Sequence, residues 1–116
     1  LQQLLQKKRP AVRAVEAFTV EPEVIINNGL SERLTVVEVA GRDRPGLLYD
    51  LTSAISDLSL DIASAHITTF GEKAVDVFYV TDLTGKQVVS ETRQAVIRER
   101  LTKVLTPAPA EQGATA

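Results

Sequence analysis

The single histidine, His66, falls in a run rich in β-formers, and the chain has no cysteine. A nucleophilic triad therefore lacks its parts. Ser64, two residues earlier, shares a strand face with His66, which makes it a neighbour rather than an oriented nucleophile. His66 itself is expected to be a partly buried packing or hydrogen-bonding residue, with ligand contact as the alternative. Asp57 and Asp61 flank a helix–strand junction and Asp76 stands alone in a strand. No pair is spaced for two-metal chemistry, and no further ligands are spaced to join His66 around a metal. These acids are expected at the surface or at caps.

Two other chemistries are tested and fail. Gly41 and Gly46 have the glycine spacing of a P-loop between a strand and a helix. Leu47 and Leu48, however, occupy the places where a lysine and a hydroxyl residue must reach phosphate and Mg²⁺. RNA binding on a sheet needs aromatics on one exposed face, but Phe78 and Tyr79 are adjacent and point to opposite sides. What survives is the loop Arg42, Asp43, Arg44, Pro45, Gly46. It offers the free N–H groups of a helix N-terminus, where a carboxylate is favoured, and a glycine that lets a ligand approach the backbone. Asp43 is placed to meet an ammonium group, so the loop suits a zwitterion such as an amino acid. The alternative is that Asp43 merely caps the helix and Gly46 merely avoids a clash.

The elements that must position this loop follow from periodicity. Residues 17–27 read as an edge strand kinked at Pro22, whose missing N–H bars it from a central position. Residues 34–40 carry apolar side chains at both parities, the mark of a central strand covered at least partly on both faces. Leu48, Leu51, Ile55 and Leu58 form one stripe of an amphipathic helix, expected to start at Pro45 because its fixed φ suits the first helical position. Residues 60–70 and 74–81 read as a second hairpin across Gly71, Glu72 and Lys73. Ser90 followed by Glu91 signals the start of a helix carrying Ile97, Leu101, Val104 and Leu105. The order is ββαββα, which predicts an α+β fold: a four-stranded antiparallel sheet with two helices on one face.

Composition sets the frame. The chain has 116 residues, 44% hydrophobic and 24% charged, enough for one core and one domain. Thirteen basic against fifteen acidic side chains leave a formal charge of −2, so nothing attracts a nucleic acid. No long apolar run or leader-like segment points to a membrane or to secretion. The chain has no methionine, not even at position 1, so the sequence is expected to be a piece of something longer. Residues 1–16, with Lys7, Lys8, Arg9 and Arg13 around Pro10, read as a helix end and linker. Residues 17–105 form the domain, and residues 106–116, with Pro107, Pro109 and Gly113, are expected to be a disordered tail.

The run LTVVEVAGRDRPGLLYDL at 34–51, followed by LDIASAHI at 60–67 and AVDVFYVTDL at 74–83, resembles an ACT domain. The continuation SAHITTFGEKAVDVFYVTDLTG narrows the resemblance to the last ACT domain of the family of bifunctional enzymes that uridylylate and deuridylylate the nitrogen-regulatory protein PII. The resemblance implies a ferredoxin-like sheet. ACT domains usually run βαββαβ, so here the N-terminal strand would supply the edge in place of a C-terminal one. A glycine is usual before the second family strand, and Ser59 stands there.

The resemblance further implies a non-catalytic, glutamine-sensing module that pairs with another ACT domain, in the same chain or in a homodimer. Effector contacts would come from Asp43, Arg44, Pro45, Gly46 and Leu47 in the loop, and from Asp61, Ile62, Ala65 and His66 on the facing strand. It implies no cofactor or metal for this region and Mg²⁺ for the parent's catalytic sites. Transfer of UMP from UTP to PII, and its hydrolytic removal, would belong to that cytoplasmic parent. The rival expectations are an ACT domain of another amino-acid-regulated enzyme, or a dimerisation or docking module that binds nothing small.

Overall fold

A computed structural model describes residues 20–106. Its elements are β1 (Glu23–Asn27), β2 (Thr35–Arg42), α1 (Leu47–Asp57), β3 (Leu60–Phe70), β4 (Lys73–Asp82) and α2 (Glu91–Leu105). The four strands form one sheet in the order β1-β2-β4-β3, every neighbouring pair antiparallel. The expected ββαββα order and four-stranded antiparallel sheet are thus present, and β1 occupies the edge beside β2 as the permuted connection requires. The expectations for residues 1–16, for 17–19 of the N-terminal strand and for 107–116 of the tail lie outside the described residues.

The alternation of strand side chains explains the layering. Val37 and Val39 of β2, and Phe78 and Val80 of β4, share one parity and are at most 1% exposed. They meet Leu51, Ala54 and Ile55 of α1 and Ile97, Leu101 and Leu105 of α2 in one core. Burial of side chains of this size contributes about 1.5–3 kcal/mol each before chain entropy is counted. Tyr79, next to Phe78, is half-buried on the other face, as adjacent strand residues must be. β2 is central, and Val36 and Ala40 on its far face are buried too.

Several boundaries differ from the sequence expectation, among them β4, which runs Lys73–Asp82 and leaves Gly71 and Glu72 alone in the turn. Pro22 stands before β1 rather than within it, so the strand keeps all its N–H groups. β2 extends to Arg42, two residues further, because Gly41 and Arg42 pair with Ala74 and Lys73. Helix α1 starts at Leu47, not Pro45. Gly46 has φ 81° and ψ 0°, and the Leu47 N–H donates to the Arg44 carbonyl at 3.2 Å. Those values belong to the second central position of a type II turn, which favours proline before and glycine there. A left-handed residue cannot lie inside an α-helix, so the proline opens a turn that precedes the helix.

The second helix begins as expected, with the Ser90 hydroxyl accepting the Arg93 N–H at 3.2 Å. Ser59, between α1 and β3, adopts φ 63°, the conformation that explains a glycine preference at this joint. The carbonyls of Leu58 and Ser59 both accept from Arg93 Nη2, at 3.1 and 2.9 Å, which holds the joint against α2.

A polar ring closes the end of the sheet where β2 begins. The Thr35 hydroxyl donates to Asn28 Oδ1 at 2.6 Å and accepts the Val88 N–H at 2.8 Å. Asn28 Nδ2 donates to the Val88 carbonyl at 2.8 Å. Gln87 Nε2 faces the carbonyls of Asn28, Ser31 and Leu34 at 2.6–3.0 Å. The buried Thr35 is thereby satisfied, and the β1–β2 loop is tied to the segment that leads into α2.

Candidate functional site

The β2–α1 loop is anchored at both ends. The Asp43 N–H donates to the Glu72 carbonyl at 2.9 Å, fastening the loop to the β3–β4 turn, and Leu47, 3% exposed, drives the start of α1 into the core. Between these anchors Asp43, Arg44, Pro45 and Gly46 are all exposed. Arg44 reaches Asp50 Oδ2 at 2.9 Å and the Val104 carbonyl at 3.3 Å. One guanidinium thus joins the acidic first turn of α1 to the negative end of α2, where a cation is favoured.

The capping alternative for Asp43 does not hold. The cap position is Gly46 and no side chain caps the helix; the Asp43 carboxylate has no hydrogen-bond partner among the described residues. Gly46 is not needed to avoid a clash either, since an added Cβ would meet nothing nearer than Arg44 Nη1 at 4.0 Å. Its positive φ is what requires glycine. The first-turn bonds run from the Leu47 N–H to Arg44 and from the Asp50 N–H to Gly46. The amides of Leu48 and Tyr49 between them receive no acceptor from the described chain, as at any uncapped helix start. An exposed carboxylate, two free N–H groups and the positive end of an 11-residue helix together suit a small zwitterion.

The strand-side residues divide. A register shift falls between Ile62 and Ser64, so Ala63 is the extra residue of a bulge. Ile62 and Ala65 pair with Val80 and Phe78 and therefore lie on the helix side of the sheet, the loop's side. Asp61 and His66 pair with Thr81 and Val77 and lie on the opposite face. His66 is exposed rather than partly buried, because β3 is an edge strand, and its ring stands edge-on to Tyr79 with centroids 5.5 Å apart. Ten of the eleven β3 residues are exposed, including Ile62 and Ile67 on the helix side.

Asp76 is the residue that sequence reasoning misplaced. It is 2% exposed, not a surface or capping acid, because it shares parity with Ala74, Phe78 and Val80 and faces the helix side. Its Oδ1 has no hydrogen-bond partner. Burial pushes its carboxyl above the usual value of 3.8; the Thr68 amide opposes this, and the charge of Asp43 adds to it. Strand alternation carried the signal, but the apolar residues on both faces of β4 hid which face was inside. Among the described residues no group of three or more His, Cys, Asp or Glu could hold a metal ion. No helix there is long and apolar enough to cross a membrane.

The family model described as "ACR9-like, ACT-like domain" matches residues 23–108. The chain is 64% identical over 91 residues to the bifunctional uridylyltransferase/uridylyl-removing enzyme of Rhodopseudomonas palustris, covering 78% of this chain and 10% of that protein. The enzymes of the same name from Bradyrhizobium diazoefficiens and a further Bradyrhizobium species are also 64% identical, over 76% and 78% of this chain and 10% of each protein. The chain spans about a tenth of the length of the curated relatives it matches. A solved structure of an unknown protein from Galdieria sulphuraria is alike at a TM-score of 0.44 and 24% identity, over 57% of this chain and 37% of that one. With a family model matched across the sheet and both helices, the chain belongs to the ACT-like domain family.

Proposed function

We propose that this domain is the glutamine-sensing C-terminal ACT module of a bifunctional uridylyltransferase/uridylyl-removing enzyme and reports nitrogen status to that enzyme's catalytic sites. The observation that carries the reading is the 64% identity over 91 residues to enzymes of that name. The geometry is compatible with it: the effector's carboxylate lies on the Leu48 and Tyr49 amides, and its ammonium is drawn to Asp43. Pro45 and Gly46 hold the turn open, Arg44 ties it to both helices, and Leu47 anchors it. The module carries out no chemistry of its own. Transfer of UMP from UTP to PII, its removal, and the Mg²⁺ these steps use belong to the rest of a cytoplasmic parent.

A second ACT domain completes the site. Beyond its bulge β3 bears no formal charge apart from His66, and it has no proline or lysine to blunt its edge. A facing copy, from the same parent chain or a homodimer, would bring Ile62 and Ala65 toward the loop. Asp61 and His66 would meet the partner on the other face. Because coupling is reciprocal, effector affinity depends on the state of the parent.

Isothermal calorimetry against a panel of amino acids tests the reading. Glutamine is expected to bind in preference to the rest. A preference for serine or a branched-chain amino acid would assign the domain to another amino-acid-regulated enzyme, and silence across the panel would leave a docking module. Such a module would keep its oligomeric state on substitution of Asp43 or Gly46.

A further inference from the structure

We infer that Asp76, a central-strand residue behind the loop, is the buried counter-charge that receives the amino group of the effector, with Asp43 as the outer acid that attracts it. The inference rests on the amino-acid reading above and names the group that would hold one end of that ligand. Three observations lead to it. Asp76 is almost fully enclosed, yet one carboxylate oxygen has no hydrogen-bond partner. Buried polar atoms are nearly always paired, so an orphan needs a reason. The other enclosed polar side chain, Thr35, has both a donor and an acceptor.

The surroundings indicate which chemistry would satisfy that oxygen. Asp76 lies between Val39 and Ile67 in the sheet and on the same side as the helices and the loop. It is close enough to the loop for the Asp43 charge to oppose its ionisation. Two nearby acids that repel each other are relieved by a cation. With too few ligands for a metal among the described residues, a primary ammonium, with three donors and one charge, is the fitting occupant. The β3 flank beside it faces solvent: Ile67, the cross-strand neighbour of Asp76, is 47% exposed. A charge-assisted bond formed out of water is stronger than one at the surface, so the inner acid contributes affinity and the exposed outer one attraction.

The test compares the 116-residue chain with Asp76→Asn, titrating glutamine, the amino-acid panel and glutaramate, which is glutamine without its α-amino group. Asp76→Asn is expected to weaken the preferred amino acid tenfold or more, the usual scale for losing a bond to a charged group, and to leave glutaramate affinity unchanged. Its unliganded melting temperature should match or exceed that of the parent chain, which separates lost binding from lost fold. Equal amino-acid affinity in both chains, or equal weakening of glutaramate, overturns the role of Asp76 while the sensor reading stands. If the unsubstituted chain binds another amino acid, the choice of glutamine falls and Asp76 is judged on that ligand. If it binds none, both fall.

Discussion

The two ends of the sheet are made from similar parts and finished in opposite ways. Where β2 begins, Thr35, Asn28, Gln87 and Val88 answer one another, and a loop and a linker are stitched together. Toward the other end of β2, the Asp43 carboxylate and the Leu48 and Tyr49 amides have no partner in the described chain, nor does one oxygen of the enclosed Asp76, three residues in from that end opposite Val39. A fold able to satisfy a buried hydroxyl at one end leaves a buried carboxylate wanting at the other. Local rules are broken where something outside the chain is to be met; on the proposed reading the end around Thr35 provides rigidity and the end around Asp43 a place for a ligand.

The largest effect should come from breaking the closed end. Thr35→Val keeps the shape but strands the Val88 N–H and Asn28 Oδ1. Leaving two such groups unmet should cost about 3 kcal/mol, read as a lower urea midpoint at unchanged slope; a loss below about 1 kcal/mol would make the ring incidental. Next is Gly41→Ala, which bears on the floor of the open end: its Cβ would come within 2.8 Å of Leu105 Cδ2 and 3.3 Å of Leu105 Cβ. The Leu105 side chain must shift, and where its Cβ cannot give, the last turn of α2 with it, at about 1–3 kcal/mol; the Arg44 contact to Val104 should then loosen.

Asp76→Asn should act in the opposite direction and stabilise the free domain by about 1 kcal/mol near neutral pH, by removing a confined charge. The sign follows from linkage. A carboxyl whose folded pKa lies above its unfolded value favours the fold most below the unfolded value, and that contribution is lost as pH rises through the folded one. The advantage of the variant should therefore shrink in acid, as seen in melts across that range. Asp82 behaves oppositely: the Thr84 hydroxyl and then the Lys86 amide hold its carboxyl below the usual range, so its contribution is present at neutral pH and lost in acid. The smallest effect is Ser59→Gly, which relieves a positive φ and should gain about 0.5–1 kcal/mol.

Much of this was legible in the residues. The β-forming runs at 34–40 and 74–81, the helical period of α1 and the Ser90 cap each rest on local composition, periodicity or a single hydrogen bond, and such signals survive folding, although Leu48 of the expected stripe is 44% exposed and Leu47 is buried in its place. The start of α1 was misread because proline suits both the first helical position and the first central position of a type II turn. The glycine after it, which takes φ 81°, was the clue. The bulge at Ala63, which sends Asp61 and His66 to one face and Ile62 and Ala65 to the other, left no trace in the residue pattern. The depth of Asp76 was hidden by Val75, Val77 and Tyr79, which make both faces of β4 look apolar.

The most direct measurement is a glutamine titration of the isotopically labelled chain, followed by amide proton–nitrogen correlation spectra. The largest shifts should gather at residues 43–49 and at Asp76 and its β3 neighbours, with the polar ring around Thr35 and Val88 nearly still. Shifts centred on that ring instead, or none at saturating glutamine, would contradict the assignment of the open end as the sensor.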